Sequence, residues 1–353
     1  MPAASPKQKL PLKSIVKWTL FLLVLVYVVR YGYEQWNAAE LSEVQWAPGW
    51  WLAAGLLYFC SWLPAGCLWW LLLKQAGVSL AFYPTFRAHF CGHLGKYVPG
   101  KALSIIIRAA MLREYNVSAT LAGMLATVET LITMAAGLLI SLSLLPVVIG
   151  SESSDALTQM MPALKLLTDL DPGKQYLISG SILLLGILAT PVVSRGLQWM
   201  TTRLVSKVDN TPDKASQKNS ALINSPIRFT SKMILLGSAI VAIGWFINGL
   251  SLGCLLMGCG VAPDSLTAPL LWTSAVAGAT SLGFLVLFAP AGLGVREGIL
   301  IAILQLSPQI DPSLAVIVAL LFRIISFSSE VIFSGLLYSF SLKRSGKEQA
   351  LVP

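Results

Sequence analysis

Apolar runs long enough to cross a lipid bilayer recur along the whole chain. A spanning helix needs about 17–25 predominantly apolar residues, and about six full spans are predicted. They cover residues 15–33, 50–73, 117–149, 176–193, 233–257 and 313–341. Only 12% of the 353 residues are charged, whereas soluble domains carry about 25%. The pattern predicts an all-α polytopic membrane protein in which residues 1–353 form a single integral membrane domain.

Two further apolar segments, 82–112 and 267–306, are interrupted by Pro and Gly. Proline removes a backbone donor and glycine permits unusual dihedral angles, so a helix is expected to stop within each segment. Unwound backbone is tolerated at membrane depth only where protein buries it or where it lines a wet cavity. Each segment is therefore predicted to be a re-entrant hairpin made of a broken helix.

The distribution of Lys and Arg orients these segments. Residues 1–17 carry four Lys and no acid, loop 194–232 carries seven basic residues, and the tail 342–353 carries three. Loop 34–48 has three Glu and no Lys or Arg, and loop 150–175 has two Lys against four acids. Basic residues collect on the cytoplasmic side. Both termini and the basic loop are therefore predicted to be cytoplasmic, in the plasma (inner) membrane.

With this topology the two broken segments enter from opposite sides of the membrane. The first dips in from the cytoplasm and the second from the outside. Each lies between two full spans, which defines one unit over about 50–149 and a second over about 233–341. The second unit begins on the opposite side, so the two predict an inverted repeat. Secondary transporters are commonly built this way, with the substrate site at the repeat interface.

Charged residues concentrate at the two breaks. The first reads Gly-Lys-Tyr-Val-Pro-Gly-Lys over 95–101, and the second reads Pro-Ala-Gly-Leu-Gly-Val-Arg-Glu-Gly over 290–298. Ionisable groups at membrane depth are costly and usually functional, so the breaks predict a pocket for a lipid phosphate. The candidate substrate-binding residues are Lys96, Tyr97, Pro99, Gly100, Lys101, Arg108, Pro290, Gly292, Gly294, Arg296 and Glu297.

A structural interpretation of the breaks stays open. Lys96, Lys101 and Arg108 would then be ordinary cytoplasmic-side charges. The adjacent Arg296 and Glu297 would neutralise each other without binding a substrate.

An intramembrane charge network is predicted from three residues within the spans, Glu129, Arg323 and Glu330. Glu129 follows Pro99 by 30 residues and Arg323 follows Pro290 by 33, so the two occupy comparable places in the two units. We predict a Glu129–Arg323 pair. Intramembrane ion pairs serve as structural clamps or as parts of a translocation path, and both roles stay open.

No cofactor and no metal are predicted. His89 and His93 have the i, i+4 spacing of a helical metal site, but no acid or third ligand of suitable spacing lies nearby. Phosphate-loop, nucleophile-elbow, paired-carboxylate and zinc-protease motifs do not appear in a solvent-reachable context, so the chain is expected not to be an enzyme. The net charge of +9 is explained by the loops, and no nucleic-acid partner is expected.

Both breaks resemble the signatures of a known family. The first break followed by Arg108 and Glu129, and the second followed by Arg323 and Glu330, are similar to flippase-like proteins related to the transmembrane region of lysylphosphatidylglycerol synthase. The likeness covers about residues 15–341. It implies a protein that moves phospholipids or lipid-linked intermediates between leaflets.

Two departures from that family qualify the expectation. In the synthases this region is fused to a soluble aminoacyl-transfer domain, and lysyl transfer is not expected for a chain ending at residue 353. Ala291 stands where relatives commonly have a second glycine, which implies a stiffer break.

The resulting prediction is a stand-alone lipid flippase or transporter for an anionic phospholipid or a polyprenyl-phosphate-linked lipid. A membrane-embedded transferase acting on a lipid-linked substrate is the first alternative. A scaffold in cell-envelope synthesis is the second. A homo-oligomer and envelope-synthesis partners are left open.

Overall fold

The computed structural model describes residues 30, 47–97, 102–152, 167–209, 228–263, 265–286 and 292–349. Within these ranges the chain forms helices and turns, without a strand. The α-helices are α1 (Pro48–Ser61), α2 (Leu63–Gln75), α3 (Phe82–His93), α4 (Ala102–Leu112), α5 (Ala119–Glu152), α6 (Pro172–Leu188), α7 (Thr190–Asp209), α8 (Ser231–Gly258), α9 (Ala268–Leu285), α10 (Val295–Leu304) and α11 (Pro312–Gln349). A 3-10 turn, Leu94–Tyr97, continues α3 into the first break.

Local sequence explains where several helices begin. Helices α1, α2, α6 and α9 carry a proline in their first turn, where the missing backbone N–H would have had no partner in the helix. The Asp171 side chain accepts a hydrogen bond from the backbone of Gly173 and caps α6. The Thr230 hydroxyl accepts one from Met233 and caps α8. Such caps satisfy backbone donors that the first helical turn leaves unpaired.

Six stretches of the described chain are long and apolar enough to cross a membrane. They are Pro48–Gln75, Ala119–Gly150, Pro172–Arg203, Ser231–Gly258, Ala268–Leu285 and Pro312–Ser339. Five coincide with predicted spans, which confirms a multi-pass, all-helical membrane protein. The predicted span 15–33 lies outside the described residues except for Arg30. The sixth stretch is α9, which falls within the predicted second hairpin and continues for 18 residues without a charged side chain.

The helices of the first broken segment are too short to span a bilayer. Helices α3 and α4 have 12 and 11 residues, which is about 16–18 Å each against a hydrocarbon core of about 30 Å. They pack against each other, and Gly95 permits this because a Cβ there would collide with the backbone of Ser104. Helix α9 packs in the same way against the ten-residue α10. The re-entrant hairpins and their sides of entry stay predictions.

Helix contacts in the two predicted units correspond. Helix α3 packs on α2, α4 and α11, and α9 packs on α8, α10 and α5. Helix α4 packs on α5 as α10 packs on α11, while α1 and α2 meet α8 between the units. This is the contact pattern expected of two related units exchanged by a twofold axis. Their inversion across the membrane stays a prediction.

Helix α6 lies at the periphery and turns apolar side chains outward. Tyr176, Leu177, Leu184, Leu185 and Leu188 are all more than half exposed. An apolar surface of this size on a multi-pass helical protein is a membrane-contacting surface. The exposed face of helix α6 is therefore a lipid-facing surface, and it can serve as a reference for lipid contact elsewhere on the protein.

Cysteines placed at Lys174 and Arg228 are expected to be labelled from opposite sides of the membrane. Both side chains are exposed. Lys174 lies at the end of the loop predicted to be outside, in the first turn of α6. Arg228 lies near the end of the basic loop predicted to be cytoplasmic. Labelling with an impermeant maleimide, after replacement of the five native cysteines, measures the side directly. Labelling of both positions from one side would contradict the predicted topology.

Candidate functional site

Charged side chains from both predicted units converge beside α1. We call Tyr58, Lys96, Tyr97, Arg296, Glu297, Arg323 and Glu330 the central charge cluster. Glu330 lies within it and is 0% exposed. Its Oε1 accepts a hydrogen bond from the Tyr58 hydroxyl at 2.5 Å and another from the Lys96 ammonium group. Because Lys96 belongs to the first unit and Glu330 to the second, this ion pair joins the units.

The second break supplies its own ion pair. Arg323 Nη1 lies 3.4 Å from Glu297 Oε1. Glu297 Oε2 accepts a hydrogen bond of 2.7 Å from the backbone N–H of Gly294, which precedes α10. Gly294 has φ of 83°, a conformation that glycine adopts at little cost. The turn at the break therefore places Glu297 where it caps α10 and pairs with α11.

Arg296 points to the same region from the start of α10. It is buried and lies within electrostatic range of Tyr58, Glu297 and Glu330. Its guanidinium carbon is 5.9 Å from the centre of the Phe322 ring. A guanidinium group offers five donors in a rigid planar fork that matches phosphate oxygens. Arg296 is therefore the side chain best suited to a phosphate in this cluster.

Aromatic rings hold the cations of the cluster in place. Lys96 Nζ lies 5.5 Å from the centre of the Trp62 ring and 5.3 Å from that of Tyr97. The Arg323 guanidinium carbon lies 5.5 Å from the Tyr97 ring, which in turn meets Phe327 edge-on at 5.0 Å. Cations over aromatic faces are stabilised even where water is excluded. The rings therefore position the cations and, being uncharged, do not neutralise them.

The central charge cluster has a surplus of positive charge. Among the described residues of the cluster, Lys96, Arg296 and Arg323 contribute three cations, and Glu297 and Glu330 contribute two carboxylates, which leaves +1. Lys96 and Arg323 keep side-chain exposures of 20% and 16%, so the site is only partly open to water. An unbalanced charge in such a site is unfavourable, and one bound anion would balance it. Charge-assisted hydrogen bonds to phosphate are the strong kind. The cluster is therefore suited to a single anionic head group.

A second buried ion pair lies inside the first unit. Arg108 Nη1 donates a hydrogen bond of 2.6 Å to Glu129 Oε2. The Thr133 hydroxyl group also donates to this carboxylate, at 3.1 Å. Arg108 and Glu129 are 4% and 2% exposed, and Nδ1 of His89 lies 4.0 Å from the carboxylate. The pair connects α4 to α5 within the first predicted unit.

The predicted pairing of Glu129 with Arg323 requires correction. The structure pairs Glu129 with Arg108 and Arg323 with Glu297. The reason is that α4 packs directly on α5, and α10 on α11, so each break reaches the charged span of its own unit first. The ion pair that does cross between the units is formed by Lys96 and Glu330.

The structure brings together part of the predicted binding set. Lys96, Tyr97, Arg296 and Glu297 belong to the central charge cluster, Gly292 and Gly294 form the turn before α10 with φ of 70° and 83°, and Arg108 is paired with Glu129. Pro99, Gly100, Lys101 and Pro290 lie outside the described residues. The three network residues divide, with Arg323 and Glu330 in the cluster and Glu129 in the second ion pair.

Sequence reasoning missed Tyr58 and Trp62. Tyr58 is fully buried and donates to Glu330 across 272 positions of the chain. Within an apolar span a tyrosine gives no signal of its own, and only a predicted carboxylate at the same depth would have drawn attention to it. In the described residues, no group of three or more His, Cys, Asp or Glu side chains is arranged to hold a metal ion.

The fold and this cluster define a polytopic helical membrane protein with a largely enclosed, cation-rich site where the two predicted units meet. The chain matches the family model described as the lysylphosphatidylglycerol synthase TM region over residues 14–333. The match covers nearly the whole chain, and the protein belongs to this family. The family indicates a membrane protein of lipid or cell-envelope metabolism. A search of curated proteins found no match.

Proposed function

We propose that this protein is a lipid flippase or transporter of the plasma membrane, a carrier and not an enzyme. It moves an anionic phospholipid or a polyprenyl-phosphate-linked lipid between the leaflets. The observation that carries the proposal is the central charge cluster, which is largely enclosed, has a net charge of +1 in the described residues and joins the two predicted units. A head group bound there neutralises the cluster while the lipid tails stay in the hydrocarbon.

The Lys96–Glu330 ion pair gives the proposal a mechanism. This pair ties the two predicted units together. An arriving phosphate competes with the Glu330 carboxylate for Lys96 and gains the fork of Arg296 as a second ligand. Once the Lys96–Glu330 ion pair is broken, one unit can move relative to the other around the bound head group, as in transporters with inverted repeats.

Purified protein in liposomes is expected to speed the transbilayer movement of an anionic lipid. The Arg296→Gln substitution is expected to slow that movement about tenfold, because a hydrogen bond to a charged group contributes about 1.5–3 kcal/mol. The assay follows a fluorescent anionic lipid by quenching from outside the liposome. Arg195→Gln is the matched control, since Arg195 is an exposed arginine on α7 outside the cluster.

The lipids tested should include phosphatidylglycerol and a polyprenyl phosphate. Movement no faster than in empty liposomes for every lipid, or full activity in a folded Arg296→Gln protein, would contradict the proposal. The molecular mass of the recovered lipid should also be measured by mass spectrometry. A chemically altered lipid would favour the transferase alternative, whereas an inactive protein that retains envelope-synthesis partners would favour the scaffold.

A further inference from the structure

A groove follows the seam between α2 and α8, outside the central charge cluster. Its volume is about 290 Å³. Its walls are apolar and are formed mainly by Leu68, Leu71, Leu72, Met233, Leu236 and Ile240. Its polar lining, Gln75, Thr230 and Lys232, comes from the end of α2 and the beginning of α8. The groove therefore has the amphipathic character of a single lipid: one polar end and one long apolar body.

The length of the groove matches one leaflet. Thr230 and Ile240 mark its extent along α8, and ten residues of helix rise about 15 Å. The hydrocarbon core of a bilayer is about 30 Å thick, so the groove covers about half of it. An acyl chain from one leaflet would lie along the groove without reaching the other leaflet.

The polar end of the groove is basic. Lys232 lines this end, and both Lys232 and Arg228 are exposed. The Gln75 side chain donates a hydrogen bond of 3.1 Å to the Arg228 carbonyl oxygen, which holds the end of α2 beside the chain that enters α8. Neither residues 68–75 nor residues 228–240 contain an Asp or Glu. This end is therefore complementary to an anionic head group at the membrane surface, where each Lys or Arg contributes about 1 kcal/mol to binding.

We propose that the α2–α8 groove is a binding site for one anionic phospholipid, with its phosphate at Lys232 and an acyl chain between α2 and α8. The occupant comes from the leaflet that faces the basic loop, which is the predicted cytoplasmic leaflet. As the place where lipid is taken up, the groove rests on the proposed function. As a binding site it stands on its own geometry.

The same seam leads from the groove towards the central charge cluster. Beyond Ile240, α8 meets the junction of α1 and α2. Gly244 packs there on Ser61, the last residue of α1, since a Cβ on Gly244 would lie 2.5 Å from the Ser61 carbonyl oxygen. A small cavity beside this contact is lined by Trp62 and has room for about one water. The Trp62 ring lies 5.5 Å from Lys96 Nζ. A lipid in the groove is thus separated from the cluster by one close helix contact.

The test is photolabelling in proteoliposomes with a phosphatidylglycerol that carries a diazirine in its acyl chain. We expect the extent of labelling of residues 68–72 and 233–240 to exceed the labelling of the exposed face of α6 by at least about fivefold. That face contacts ordinary bilayer lipid and serves as the internal reference. A phosphatidylcholine probe is expected to label both surfaces alike, because it lacks the net negative charge.

Two variants sharpen the result. Lys232→Gln is expected to reduce phosphatidylglycerol labelling of the groove about fivefold, with the exposed Arg195→Gln as the unchanged control. Ile240→Trp fills the groove and is expected to abolish the excess labelling. Thermal unfolding confirms that both proteins are folded.

Equal labelling of the groove and α6 in the wild-type protein, or a groove signal that survives both Lys232→Gln and Ile240→Trp, would overturn the proposal. Because labelling measures binding and not movement, the two proposals fail separately. Preferential labelling of the groove in a protein that moves no lipid rejects the flippase proposal and supports the binding site. Equal labelling of the groove and of α6 in a protein that moves lipid rejects the binding site and leaves the flippase proposal standing.

Discussion

Replacing Arg108 with glutamine is expected to lower the free energy of unfolding by about 3–5 kcal/mol, because Glu129 would remain buried as a charge without its cation. The Arg108–Glu129 contact is a 2.6 Å hydrogen bond between two side chains that are almost fully enclosed. Unfolding of the purified protein in bilayer discs measures the loss. Arg323→Gln is the comparison variant, since its partner Glu297 keeps the Gly294 backbone donor.

The double variant Arg108→Gln, Glu129→Gln decides whether the pair acts as a unit. Removal of both charges leaves two amides that can bond to each other and to Thr133, so the double variant is expected to be more stable than Arg108→Gln alone. Losses that simply add would show that the two side chains do not interact. A comparable coupling between Glu129 and Arg323 would instead restore the pairing predicted from sequence.

Replacing Glu330 with glutamine is expected to tighten binding of an anionic lipid and to slow its movement about tenfold or more. The substitution raises the net charge of the central charge cluster from +1 to +2, by removing one of its two carboxylates. It also removes the charged acceptor of Lys96, so nothing competes with the phosphate for that cation. The head group is then held in the cluster instead of being released.

The measurement is the rate of lipid movement in proteoliposomes against the mole fraction of the anionic lipid. For Glu330→Gln, saturation is expected at a lower mole fraction with a lower maximal rate. Tyr58→Phe is the matched control, because it removes the other hydrogen bond to Glu330 Oε1 and leaves the charge unchanged. An unchanged maximal rate, or weaker binding in a folded Glu330→Gln protein, would contradict a role for this ion pair in release.

The class of protein could be predicted from the sequence because hydropathy and charge are properties of the chain itself. Five of the predicted spans recur as helices long enough to cross a membrane. The breaks at Pro and Gly were also correctly located, since α3 ends before the first and α10 begins after the second. Helix α9 shows the limit of this reasoning, because breaker residues show where a helix stops but not how far the apolar helix before them continues.

The tertiary structure alone decided which charges meet. Hydropathy and spacing indicated that Glu129, Arg296, Arg323 and Glu330 lie at membrane depth, and this followed from position within an apolar run. Their partners depend on which helix faces pack together. Arg108 and Glu129 are 21 residues apart, whereas Lys96 and Glu330 are 234 apart.

The same reason applies to Tyr58 and to the α2–α8 groove. A tyrosine in an apolar span and a row of leucines on two distant helices carry no mutual signal along the chain. Contact between α1 and α11, and between α2 and α8, creates the hydrogen bond and the groove. Sequence determined what each segment is, because the bilayer acts on every segment separately, and packing determined the site, because a site forms only between segments.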